Sequence, residues 1–167
     1  MATLDLAPTG AGATTNLVPD PSGTNWSCVV STDGYTVQRT GPAGATDCYQ
    51  MADTTSIPDG AIIDKVVVTV SGLYSDGGGV VGAGLYIGIT IYADSAAISG
   101  DSFSYEMTTN PATSGAWTKT AINDSQLALY LEAGSGKYSY ANKMWATVHY
   151  HLPPSGGSGQ IIGLEAY

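Results

Sequence analysis

The sequence predicts an all-β fold, a single-domain β-sandwich or jelly roll with one short helical turn near residues 118–125. Three observations carry this. Short segments of strict apolar/polar alternation recur along the chain, and turn residues separate them about every ten positions, the rhythm of sandwiches. No stretch repeats apolar residues at helical spacing long enough for a long helix. Charged residues are only 11% of the 167-residue chain. That is well below the usual ~25%, and Lys, Glu and Arg are the residues that clothe helix surfaces.

The elements follow in order. Leu4 and Leu6 alternate with Thr3 and Asp5 as a first strand, and Pro8-Thr9-Gly10 reads as its turn. Residues 11–24, rich in Gly, Thr, Asn and Pro, read as a loop. Residues 26–31 and 35–40 read as a strand pair around Thr32-Asp33-Gly34, because Asp-Gly favours tight hairpins. Residues 47–52 form a strand with Tyr49 and Met51 on one face. Ser56-Ile57-Pro58-Asp59-Gly60 is a tight turn before the strongest strand, 61–74, in which Val66, Val68 and Val70 share a face. Ser75 to Gly79 is a tip, and 80–93 reads as one return strand with Leu85, Ile87, Ile89 and Ile91 aligned. Residues 96–100 are a loop, and 103–107 the next strand. An Asn110-Pro111 turn, the helical turn and a strand carrying Leu127, Leu129 and Leu131 come next. The last long strand, 143–152, sets Met144, Ala146, Val148, Tyr150 and Leu152 against Trp145, Thr147, His149 and His151.

Length fits one domain, 1–152, followed by a Pro/Gly/Ser linker, 153–159, and a C-terminal apolar arm, 160–167. Net charge is −9, and the five basic residues are scattered singly. Nucleic-acid binding needs several cations on one face, so no nucleic-acid partner is expected. No apolar run is long enough for a transmembrane helix, and a negative surface is repelled by anionic lipid, so no membrane partner is expected. The first ten residues lack the cationic and apolar regions of a secretory signal.

Candidate chemistry is sparse, and neither a cofactor nor a metal is expected. His149 and His151 share a strand face and would need a third ligand to hold a metal. The glutamates are Glu106, Glu132 and Glu165, of which Glu106 is the one placed to point inward. Turn aspartates lack the spacing of a calcium loop. No nucleophile elbow, zincin or P-loop motif occurs. Cys28 and Cys48 can form a disulfide between neighbouring strands or stand as two buried thiols. The 11 tyrosines, Tyr138 and Tyr140 among them, suit either a sugar platform or a protein interface.

Residues 56–152 resemble a jelly-roll domain of phage and prophage virion proteins. Ser56-Ile57-Pro58-Asp59-Gly60-Ala61-Ile62-Ile63 with Val66-Val67-Val68-Thr69-Val70 matches its opening strand. Asn110-Pro111-Ala112-Thr113-Ser114-Gly115-Ala116-Trp117-Thr118 matches its central turn. Gln126-Leu127-Ala128-Leu129, with Ala128 where glycine is usual, and Ala146-Thr147-Val148-His149-Tyr150 match two later strands. The motif residues Asn110, Pro111, Thr113 and Trp117 have structural work: a fixed turn, local backbone bonds and a plug for the sandwich end.

The resemblance implies a non-enzymatic virion structural protein, a capsid decoration or head/tail fibre type, assembled in the host cytoplasm. Its expected partners are itself, as a trimer or higher homo-oligomer, and other capsid or tail proteins. Ile161, Ile162, Leu164 and Tyr167 are costly to leave in water and mark 160–167 as an assembly arm that packs on a neighbouring subunit. Two alternatives stand beside this reading: a carbohydrate- or receptor-binding module, with a surface glycan as partner, and a subunit of an extracellular filament built by strand exchange.

Overall fold

The structure, a computed structural model, describes residues 1–20, 22–30, 36–40 and 43–154. Three segments of interest lie outside the described residues: the Thr32-Asp33-Gly34 hairpin, linker residues 155–159, and the arm carrying Ile161, Ile162, Leu164 and Tyr167.

The strands in chain order are β1 (Ala2–Leu6), β2 (Pro8–Ala11), β3 (Val18–Asp20), β4 (Thr36–Thr40), β5 (Ala45–Met51), β6 (Ile62–Ser71) and β7 (Tyr74–Ser75). They continue with β8 (Val80–Ile87), β9 (Thr90–Ala97), β10 (Ser102–Met107), β11 (Ser125–Glu132), β12 (Tyr138–Ala141) and β13 (Lys143–His151). One helix, α1 (Lys119–Asn123), precedes β11.

Two sheets form the sandwich, ordered β1-β13-β6-β10 and β2-β5-β11-β8-β9, with every pairing antiparallel. Setting β2 aside, the eight strands of these sheets take the sequential order first-eighth-third-sixth in one and second-seventh-fourth-fifth in the other. That interleaving is the double Greek key of a jelly roll, so the sandwich and jelly-roll expectation holds. A smaller sheet, β3-β4-β12-β7, closes the end where β6 finishes and β13 begins.

Period-two alternation fixes the core. Val66, Val68, Val70, Met144, Ala146 and Val148 are buried on one inner face. Val81, Ala83, Leu85, Leu127, Leu129 and Leu131 are buried on the other. A one-residue slip would turn each set to solvent, so burial specifies the register. The pairing of β13 with β6 shifts between His149 and Tyr150, placing Asp64 as the extra residue of a bulge.

Four local expectations are corrected. Pro8-Thr9-Gly10 is not a turn. The chain switches sheets at Ala7, and Pro8–Ala11 pairs with β5 at its edge, where the missing proline N–H is tolerated. Of the strand expected over 26–31, the described residues 26–30 are not extended; Ser27–Val29 form a single 3-10 turn, since the Ser27 hydroxyl donates to Thr24 O (2.8 Å) and Cys28 N follows at 3.2 Å. β4 instead pairs with β3 and β12. Residues 80–93 are not one strand but the hairpin β8–β9. Its two-residue loop has Gly88 at φ +65°, the left-handed first position of a type II′ turn. The unbroken alternation of Ile87, Ile89 and Ile91 concealed that turn. The 61–74 strand ends at Ser71, because Gly72 (φ +62°) turns the chain into β7.

Candidate functional site

The Asn110–Trp117 motif closes one end of the sandwich. Asn110 Oδ1 accepts from Ala112 N (2.9 Å), and Asn110 O accepts from Thr113 N and Ser114 N. Gly115 N donates to Thr113 Oγ1 at 3.2 Å, and Ser114 takes a left-handed φ of 58°. Pro111 sits in the turn outside any ladder. These bonds aim Trp117 into the core, 4% exposed, with Nε1 donating to Met107 O at 2.9 Å. Thr118 then caps α1 by accepting from Ala121 N, and Ile122 seals the interior beneath it. Lys119 Nζ reaches Ile57 O (2.9 Å) and Asp59 (2.7 Å), and Asn123 Oδ1 accepts from Thr54. The Lys119 ammonium, hydrogen-bonded and opposite in charge, lowers the Asp59 carboxyl below its ordinary value.

A second feature escaped sequence reading. Asp47 lies on the inner face of β5 and is fully buried. Its carboxylate accepts from Asn16 N, Leu17 N (2.8 Å), Asn25 Nδ2 and the Tyr49 hydroxyl (3.1 Å). Asn25 Nδ2 also donates to Leu17 O at 2.7 Å. A buried carboxylate is tolerable only with its lone pairs filled, and here they pin the loop before β3 and the 3-10 turn to the core. Burial first, and the Asp47 charge second, push the Tyr49 phenol well above its ordinary value.

That shift fixes a direction for pH. In the unfolded chain Tyr49 ionises near pH ~10, while in the fold it stays protonated beyond that. Its contribution is therefore fully present below about pH 10 and is lost as pH rises through the folded value. Unfolding curves from neutral to strongly alkaline pH should show stability falling above about 10, and Tyr49→Phe should blunt that fall. An equal alkaline fall in both proteins would contradict the assignment.

The remaining sequence candidates disperse. Cys28 packs within the core cluster while Cys48 faces outward from β5, and both are thiols, so no bridge joins them. Glu106 does not point inward. It lies on the outer face of β10, exposed, paired with Lys65 at 2.6 Å. His151 Nδ1 meets Asp64 at 2.9 Å. Among the described residues no three His, Cys, Asp or Glu side chains gather to hold a metal, and no helix is long and apolar enough to cross a membrane. Tyr138 and Tyr140 share the outer face of the small sheet with Tyr74, at centroid distances of 6.1 and 5.9 Å.

Two surface features remain. The edge strand β9 is exposed along nearly its whole length, on both faces. Asp94 and Ala96 align with the core-facing residues of β8 yet remain exposed, and Tyr92 beside them is only half-buried, so the hairpin projects beyond the cover of the opposite sheet. Ile89 at its tip is 91% exposed and Ile91 42%. The second feature is a groove of about 350 Å³ on the outer face of the five-stranded sheet, lined by Thr46, Gly82, Ala93, Tyr130 and Glu132 among others. No protein-family model, curated protein or solved structure matches the chain.

Proposed function

We propose that the protein is a non-enzymatic virion structural protein, a capsid decoration or head/tail fibre building block that self-assembles through β-edges and its C-terminal arm. The exposed β9 edge carries this reading. Natural sheets blunt their edges with lysine, proline or bulges, because an open edge templates pairing with another chain. β9 has neither lysine nor proline, and Asp94 is its one charged residue. The jelly-roll strand order and the structural role of the Asn110–Trp117 motif support the same reading.

The arm supplies an occupant. Residues 160–167 carry Ile161, Ile162, Leu164 and Tyr167 and can add as a strand to β9 of a neighbouring copy. Linker residues 155–159 can span at most about 3.6 Å each, so the donor and acceptor copies must be close neighbours.

The test is assembly size in variants of the full chain. Deleting residues 153–167, or placing lysines at the exposed Thr90 and Ala96 of β9, should convert a trimer or larger species towards monomer while the fold is retained. Assembly unchanged by both variants would overturn the proposal.

A further inference from the structure

We infer that the groove across the outer face of the five-stranded sheet is a binding site for a neutral saccharide. The inference is independent of whether copies of the chain assemble. Its floor follows from register. Thr46, Tyr130, Gly82 and Ser95 lie directly opposite one another on four adjacent strands, and the next row sets Ala128, Gly84 and Ala93 side by side. Glycine and alanine leave the floor low, while Tyr130 and Ile91 rise beside it. The absent side chains at Gly82 and Gly84 let β8 pack closely against β9 and β11, with the β9 backbone at Tyr92 and Ala93 lying against Gly84.

The lining chemistry selects the ligand. Thr46, Ser95 and Tyr130 contribute hydroxyls, and Glu132 contributes a carboxylate, while Asp94 reaches the groove through its backbone. The Tyr130 hydroxyl donates to Glu132 Oε2 at 2.6 Å, which fixes the ring against the groove. No Lys, Arg or His lines it, so phosphate, sialic and uronic acids meet uncompensated negative charge. A ligand that donates hydrogen bonds to the Glu132 carboxylate and lays an apolar face on an aromatic ring fits best. A neutral pyranose does both, donating from its hydroxyls and presenting its C–H face. The volume lies at the small end of the range for ligand sites, about 300–1,000 Å³, which suits one or two sugar rings.

The test is an array of neutral oligosaccharides beside sialylated and uronic counterparts, followed by calorimetric titration of any neutral hit on the full chain. Ala93→Leu fills the groove from an exposed position, and Glu132→Gln removes a charge without changing shape. Each should weaken the neutral sugar by at least about tenfold with an unchanged unfolding midpoint. Three results would overturn the inference: no neutral glycan bound, binding restricted to anionic glycans, or equal affinity in wild type and Ala93→Leu. Loss of assembly in Ala93→Leu without any glycan binding would also overturn it, and would reassign the groove to contact between copies.

Discussion

Trp117→Ala should lower the unfolding free energy by about 3–5 kcal/mol, the range for deleting a buried tryptophan. The side chain is 4% exposed and plugs one end of the sandwich between the Asn110 turn and α1. Its loss opens a cavity that the two sheets cannot collapse to fill, because their backbones are held in register by ladders. It also strands the Met107 carbonyl that now accepts from Nε1. Domains of this size are stable by only about 5–15 kcal/mol, so the variant should be marginal. Trp117→Phe keeps most of the volume and loses mainly the hydrogen bond, and should cost about 1–2 kcal/mol. Urea unfolding followed by far-ultraviolet circular dichroism measures both. A loss below about 1 kcal/mol for the alanine variant would mean that Trp117 is not the plug.

Asp47→Ala should cost a similar amount, about 3–5 kcal/mol, by a different route. No large cavity is made. Instead the amides of Asn16 and Leu17 and the amide group of Asn25 lose their buried acceptor. Each unmade buried bond costs about 1–3 kcal/mol when water cannot replace it. The damage should be regional, because the Asp47 carboxylate bonds to Asn16, Leu17, Asn25 and Tyr49 and so ties that corner of the core to β5. Hydrogen exchange should therefore accelerate at residues 14–17 and 25–29 well before it does in β6, β11 and β13. Asp47→Asn keeps one acceptor oxygen and should fall between wild type and alanine. Uniform exchange, or a loss below about 1 kcal/mol, would contradict the clamp.

The contrast between these residues shows what a sequence can disclose. The Trp117 closure was legible because its chemistry is local. Asn110, Thr113 and Ser114 bond within a few residues, and Thr118 caps a helix that starts beside it. The strands β6, β11 and β13 were legible because alternation persists over many residues. Asp47 was not legible, since three of its four partners, Asn16, Leu17 and Asn25, come from 22 to 31 positions away, and Tyr49 beside it reads as an ordinary strand residue. The β8–β9 turn was hidden by its own isoleucines. Gly88 is the one clue, and nothing sets it apart from Gly82 and Gly84 in the same segment. The 3-10 turn at Ser27–Val29 was missed because an apolar cluster outweighed the Thr24–Ser27 bonding that tightens the chain. The groove needed the register of four strands before its small floor could be recognised.

The β9 edge links the fold to the proposed assembly. Its exposure follows from the hairpin reaching past the opposite sheet, and its sequence carries none of the lysines or prolines that keep such edges solitary. The proposed assembly would convert those unpaired backbone groups into ladder bonds and cover Ile89, which is now 91% exposed. The most direct measurement is sedimentation velocity of the full chain across a wide concentration range at neutral pH. A trimer or larger species, persisting on dilution, is the expected result; a monomer at every concentration would contradict the assembly reading.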